Sequence, residues 1–207
     1  NTEILYSGPI TITNTKVLRA RVYPSVSTLL PSQIVTRTYI LNQNFDLPVF
    51  SITTDSVNLW DASYGIYVLG YGADSINYPY FGSNFWQNWE RPVHVEYFHK
   101  DKQLKYKLNG GIKIHGGWSR GQNQKSFRIL AKSKYDINNM TYPMISDKPF
   151  ISNYSSINLR NGGNDYYESR SRDAFMHRLA ASSHVDFMGY EPAYAFLNGN
   201  FFGHYEI

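Results

Sequence analysis

The 207-residue chain is 42% hydrophobic and 17% charged, which describes a folded chain long enough for a real core and excludes a disordered one. Its net charge of +4 is scattered rather than gathered in a run, so nucleic acid is not an expected partner, and no apolar run approaches the ~20 residues of a membrane-spanning helix. The absence of cysteine excludes disulfides, thiolate zinc sites and cysteine nucleophiles.

Residues 1–41 read as punctuated β-structure. ILYSGPITI, KVLRARVYP and QIVTRTYIL alternate apolar and polar residues between Gly-Pro, Asn-Thr and Pro-Ser breaks, and predict three strands. Residues 42–46 read as a linker. LPVFSITTD (47–55) is a candidate buried strand, and GIYVLG (65–70) a second short one. Between Gly70 and Pro92 lies an aromatic loop rich in Gly and Asn, too long for a casual connection. A meander over 92–116 follows, with hairpin turns predicted at Lys100-Asp101-Lys102 and at Asn109-Gly110. QKSFRILAK (124–132) is a further strand.

One helix is predicted, over 168–184. Asp165 and Glu168 sit three apart like a capping box, and Phe175, Met176, Leu179 and Ala180 form an apolar stripe at helical spacing. The Asn198-Gly199 pair predicts a closing hairpin with a type I′ turn. The fold class expected is therefore α+β: a mostly antiparallel sheet with one main helix. Asn1, without a preceding Met, and FFGHYEI, which stops mid-pattern, read as cuts inside a longer protein.

Two stretches could carry chemistry. In GGIKIHGGWSRGQNQKSFRI (110–129), alternation puts Lys125, Phe127 and Ile129 on one face, so a lysine opens a strand on its core-like side. There it either snorkels outward or meets an anion, with Arg120 and the loop glycines beside it. The stretch is not a Walker A loop, since GxxxxGK[ST] is absent and a strand follows. Pattern alone favours a hairpin with a polar tip over a phosphate loop.

In LRNGGNDYYESRSRD (159–173), Arg160 leaves a strand and Asp165 precedes the helix, which reads as a tight turn and an N-cap, or as an anion site at a helix start. Arg172 falls on the apolar side and needs a partner, while Asp173 and His177 are an i,i+4 pair. The six histidines lack metal-ligand spacing, and neither GxSxG nor HExxH occurs. In the aromatic loop NYPYFGSNFWQNWER (77–91), Trp86, Trp89 and Tyr80 would form a sugar-stacking platform, unless the tryptophans fold inward to pin the loop.

The order of LPVFSITTDSVNLWDASYGIYV, NWERPVHVEYF, GGIKIHGGWSRGQNQKSFRILAK, INLRNGGND, SRDAF and YAFLNGNFFGHYEI resembles the CotH kinase-like family, from about Leu47 to Ile207. LYSGPITITNTKVLRARVYPS and PSQIVTRTYI resemble the final strands of a chitobiase C-terminal-type β-sandwich module, which would make residues 1–41 a short N-terminal sandwich remnant.

The first resemblance implies an atypical protein-kinase-like fold, truncated here. It also implies a bacterial, exported, extracellular or cell-surface protein that uses ATP and a divalent metal (Mg or Mn) to phosphorylate secreted or surface proteins. Lys125 would face the nucleotide phosphates, with Arg120 in the same pocket; Arg160, Asp165, Arg172 and Asp173 match family positions that support it. The family's metal-holding and basic acidic residues lie beyond the strand that is GHYEI here. The fragment is therefore expected to be inactive and to bind no cofactor tightly, and its catalytic residues stay unassigned. The alternative is a non-catalytic surface module that binds polysaccharide or protein through the 77–91 loop.

Overall fold

The computed structural model describes residues 3–26 and 28–207. The strands are β1 (Lys16–Ala20), β2 (Val35–Tyr39), β3 (Val49–Thr53), β4 (Arg91–Phe98), β5 (Leu104–His115), β6 (Ser126–Leu130), β7 (Met140–Thr141), β8 (Asn153–Tyr154), β9 (Ser156–Leu159), β10 (Pro192–Leu197) and β11 (Asn200–Glu206). Two short helices, α1 (Ser56–Trp60) and α2 (Arg172–Ala180), and three single 3-10 turns complete the described elements.

Seven strands form one sheet in the order β11-β10-β3-β4-β5-β6-β9. All neighbours are antiparallel except β10 and β3, which run parallel with Ala195 opposite Phe50. The sheet curls until its two edge strands meet: just past β9, Arg160 pairs with Glu206 of β11 through backbone N–H···O bonds of 2.7 and 3.0 Å. Its concave side is filled by alternate residues, among them Phe50, Ile52, Val95, Tyr97, Leu108, Ile112, Phe127, Ile129, Leu159 and Tyr205, all buried. Burying these apolar side chains drives the curl, each contributing roughly 1.5–3 kcal/mol.

The expected α+β class with an antiparallel, kinase-like sheet is thus corrected to a mostly β molecule built on a mixed sheet. Turn chemistry reveals hairpins between sequence neighbours, whereas β3 and β10 are joined across more than a hundred residues, and no local pattern announces a parallel pair.

Four local expectations also change. ILYSGPITI forms no strand, so in place of a sandwich remnant residues 16–39 make a two-stranded ribbon, β1 against β2. GIYVLG is not a strand, although Ile66 and Tyr67 are buried. The turn expected at Asn109-Gly110 is the middle of the continuous 12-residue β5. Gly110 is there because a Cβ would lie 2.5 Å from the Leu130 carbonyl oxygen, and the Asn109 carboxamide bonds the His94 ring at 2.7 Å.

The fourth change concerns the helix, which begins only at Arg172. Its expected apolar stripe faces outward, with Phe175, Met176 and Leu179 all about 60% exposed and Ala174 its one buried residue. The Lys100–Lys102 turn and the Asn198-Gly199 turn form as expected, the latter with φ of 51° and 86°.

The ribbon lies on the convex side of the sheet. There Glu96 of β4, fully buried, accepts the Thr38 N–H at 2.6 Å, and the Thr38 and Ser51 hydroxyls are 2.7 Å apart.

Candidate functional site

β5 and β6 are paired from Gly111–Leu130 to His115–Ser126, and the ten residues between them form the glycine-rich loop. Gly116 (φ 111°) turns the chain into a 3-10 turn at Trp118–Gly121, which throws the Arg120 side chain back across the loop. Its Nε donates to the Gly116 carbonyl at 2.6 Å and its Nη1 to the Phe85 carbonyl at 3.1 Å, and the guanidinium stands 5.5 Å from the Trp86 ring centre. Arg120 is thus a staple between this loop and the aromatic loop, its Nε and Nη1 engaged by carbonyl oxygens and its Nη2 without a described acceptor.

Lys125 ends the loop and is 6% exposed. Its Nζ donates to the Gln122 carbonyl at 2.8 Å and lies 4.0 Å from the centre of the Phe85 ring and 5.2 Å from that of Tyr67. Its backbone is locked as well: its N–H donates to the Tyr67 hydroxyl at 2.8 Å, and the Tyr205 hydroxyl donates to its carbonyl at 3.0 Å. Among the described residues no carboxylate pairs with it. Burial alone lowers its pKa to about 8. The structure therefore brings Lys125 and Arg120 together around Phe85, the first as a buried cation without an anion.

The other four expected residues gather one strand away. Arg160, at the end of β9, pairs with Asp173 at 2.5 Å. Asp165 sits in a 3-10 turn, where it accepts the Ser169 hydroxyl at 2.7 Å and the Arg172 N–H at 3.0 Å, with the Arg172 guanidinium 3.2 Å away. These contacts, the Ser169 bond first, hold its carboxyl below the usual carboxylate range. Asp165 thus bonds the first residue of α2 from seven positions upstream, and the expected capping box with Glu168 gives way to that arrangement.

The two groups are joined by residues whose role no motif marks. The Asn161 Nδ2 donates to the Gln124 carbonyl at 2.7 Å, and its Oδ1 accepts the Ser126 hydroxyl at 2.9 Å. Gln124 in turn donates to the His204 carbonyl at 2.5 Å and accepts from Arg170 at 3.3 Å.

Glu206 is the residue that sequence reasoning missed. It is 6% exposed, and neither carboxylate oxygen has a hydrogen-bond partner among the described residues. Burial, only partly offset by Arg160 and reinforced by Asp173 and Asp165, raises its pKa to about 7. The available signal was its position between Tyr205 and Ile207, one acidic residue in an otherwise apolar strand end.

The aromatic loop is held by Asn84, whose Nδ2 donates to the Ala62 and Gly65 carbonyls at 3.0 and 2.9 Å. Trp86 and Trp89 are half-buried against the core; the Trp86 Nε1 donates to the Pro79 carbonyl at 2.8 Å, and Trp89 lies 5.0 Å from the Arg91 guanidinium. Tyr80 is half-buried with φ 62°. The exposed rings here are instead Tyr71, Tyr78 and Phe81, with Trp118 of the glycine-rich loop beside the last two.

Among the described residues no group of three or more His, Asp or Glu is placed to hold a metal ion. Among the described residues no helix is long and apolar enough to cross a membrane. A search of curated proteins finds no match to this chain. Residues 112–207, which carry Lys125, Arg120, Arg160, Asp165, Arg172 and Asp173, match the family model described as CotH kinase protein, and the match leaves uncovered the stretch expected to resemble a chitobiase-type module.

Proposed function

We propose that this chain carries the nucleotide-facing part of a CotH-type protein kinase that transfers phosphate from ATP to secreted or surface proteins of a bacterium. The observation that supports the reading is Lys125, an ammonium buried against Phe85 and Tyr67 with no carboxylate partner, in the segment that matches the CotH family. A buried cation of this kind is strongly stabilised by an incoming anion, and two of its three N–H donors have no described acceptor. In phosphoryl transfer such a lysine neutralises charge on the phosphates and positions them. Arg120 would chiefly shape the loop, since carbonyl oxygens engage its Nε and Nη1, while its Nη2 has no described acceptor and stays available to an anion. A divalent metal would supply charge neutralisation at the phosphates, and the described residues do not form its ligand set.

Lys125→Met tests the reading because methionine keeps the volume without the charge. Titration with a fluorescent ATP analogue is expected to show at least ~10-fold weaker binding by the variant, at unchanged circular dichroism. Equal affinity of the two proteins would remove Lys125 from the site.

A further inference from the structure

The molecule carries a second surface that phosphate chemistry does not use. Trp118 is 60% exposed, Phe81 53% and Tyr78 43%, and the three rings are neighbours. The Trp118 ring lies 6.2 Å from Phe81 at 90° and 6.0 Å from Tyr78 at 61°. Tryptophan is seldom this open, and an exposed aromatic cluster on a folded chain marks a contact surface.

The cluster is held in place before any ligand arrives. The Tyr78 hydroxyl donates to the Trp118 carbonyl at 2.7 Å and accepts from the Gln122 side chain at 3.3 Å. Phe81 is backed by Trp86, 4.8 Å away, and Tyr78 by Tyr80, 5.8 Å away. The loop is cross-tied beneath them, with the Asp74 N–H donating to the Phe81 carbonyl at 2.9 Å. Rings fixed in this way bind without the entropy cost of ordering them.

The surroundings narrow the ligand class. Arg120, the nearest cation along the chain, is turned toward the Gly116 and Phe85 carbonyls, and the Asp74 carboxylate is taken up by the Ile76 and Asn77 N–H groups and the Asn77 side chain, so the charges nearest the cluster are held by the protein's own groups. The side-chain amides at its edge are those of Gln122, on the Tyr78 hydroxyl, and Asn77, on the Asp74 carboxylate. The rings meet at steep angles, which makes an open, faceted surface rather than a parallel slot for a flat base. Aromatic faces edged by neutral amides suit a ligand that is itself neutral, with C–H groups on one face and hydroxyls at its rim.

We propose that Trp118, Phe81 and Tyr78 form a platform for neutral carbohydrate, with the Trp118 ring as its principal stacking surface and the Gln122 amide meeting the hydroxyls. This moves the sugar-stacking role away from Trp86, Trp89 and Tyr80, which support the platform from beneath or face the core.

The test is titration of the whole protein with chitohexaose, cellohexaose and maltohexaose, followed by tryptophan fluorescence and calorimetry, and repeated with ATP. At least one oligosaccharide is expected to bind, and Trp118→Ala to weaken it roughly 10-fold or more at unchanged melting temperature, with Trp118→Phe in between. Because Trp118 is largely exposed, its removal leaves the core intact; a second variant, Gln122→Ala, is expected to weaken binding less. Absence of binding by all three sugars would overturn the proposal, as would equal affinity of Trp118→Ala. It falls equally if ATP, and no sugar, perturbs Trp118. Failure of sugar binding leaves the nucleotide affinity of Lys125→Met as it was, so the two readings fail separately.

Discussion

Three ionisable side chains, Glu206 and Lys125 buried and His115 half-buried, make the stability of this protein depend on pH in opposing ways. Glu206 titrates at about 7 in the folded chain against 4.5 in a free one, so the native state holds its proton longer and stability falls as pH rises from 4.5 through 7. His115 is pushed down to about 4 from 6.5, by burial first and then by Arg128, Arg120 and Arg160, so stability instead rises with pH between 4 and 6.5. The two slopes nearly cancel in the wild type. Glu206→Gln is therefore expected to leave a melting temperature that climbs from pH 5 to 6.5, and His115→Gln one that declines, as read by thermal melts across that range; parallel profiles in both variants would sink the pairing. Lys125 acts higher on the scale. Its folded value of about 8 against 10.5 means that stability is lost as pH drops from 10.5 through 8, and the cost is fully present at pH 7. Lys125→Met should thus stabilise by up to about 3 kcal/mol at pH 7 and by much less at pH 10, measured by urea unfolding.

At the scale of elements, the turn between β10 and β11 shows local and distant demands meeting in one residue. Asn198 accepts the left-handed conformation that the type I′ turn requires, and its Oδ1 also accepts the Thr54 N–H at 2.9 Å, just past β3. Asn198→Gly keeps the backbone and loses only the bond, so a cost of about 1 kcal/mol is expected. Asn198→Ala loses the bond and strains the backbone, at about 2–3 kcal/mol in chemical denaturation. A ranking with Ala equal to Gly would show that the turn conformation contributes nothing. This hairpin was legible because its signal is a dipeptide with a known backbone preference. The same reasoning misplaced Asn109-Gly110, where the glycine answers the Leu130 carbonyl on the neighbouring strand rather than a turn. It also misjudged α2, whose apolar residues have helical spacing yet point outward, because periodicity identifies a face without saying what covers it.

The whole molecule is a curled sheet with a ribbon laid on its outside, and one carboxylate couples them. Burial acts to raise the Glu96 pKa, but the Thr38 N–H at 2.6 Å and the His94 ring, 3.9 Å away, outweigh it and hold the group ionised. Glu96→Ala should free the ribbon while the sheet persists: limited proteolysis is expected to cut within 42–46 far faster than in the wild type, leaving a stable product that begins near β3. Release of the whole chain to small peptides would instead show that ribbon and sheet fold as one unit.

The sequence by itself determined the material of this protein. It placed the strands at LPVFSITT, PVHVEYF and QKSFRI, the closing hairpin, and a lysine on the apolar side of its strand, because alternation and turn chemistry are local properties of the chain. Tertiary structure alone decided the rest. The parallel junction of β3 with β10 and the meeting of Arg160 with Glu206 join residues far apart in sequence. Glu206 has an unpaired carboxylate only because that seam buries it, and Arg120 became a staple only because Phe85 folds against its loop. Burial and pairing belong to the folded neighbourhood, and no window along the chain contains them.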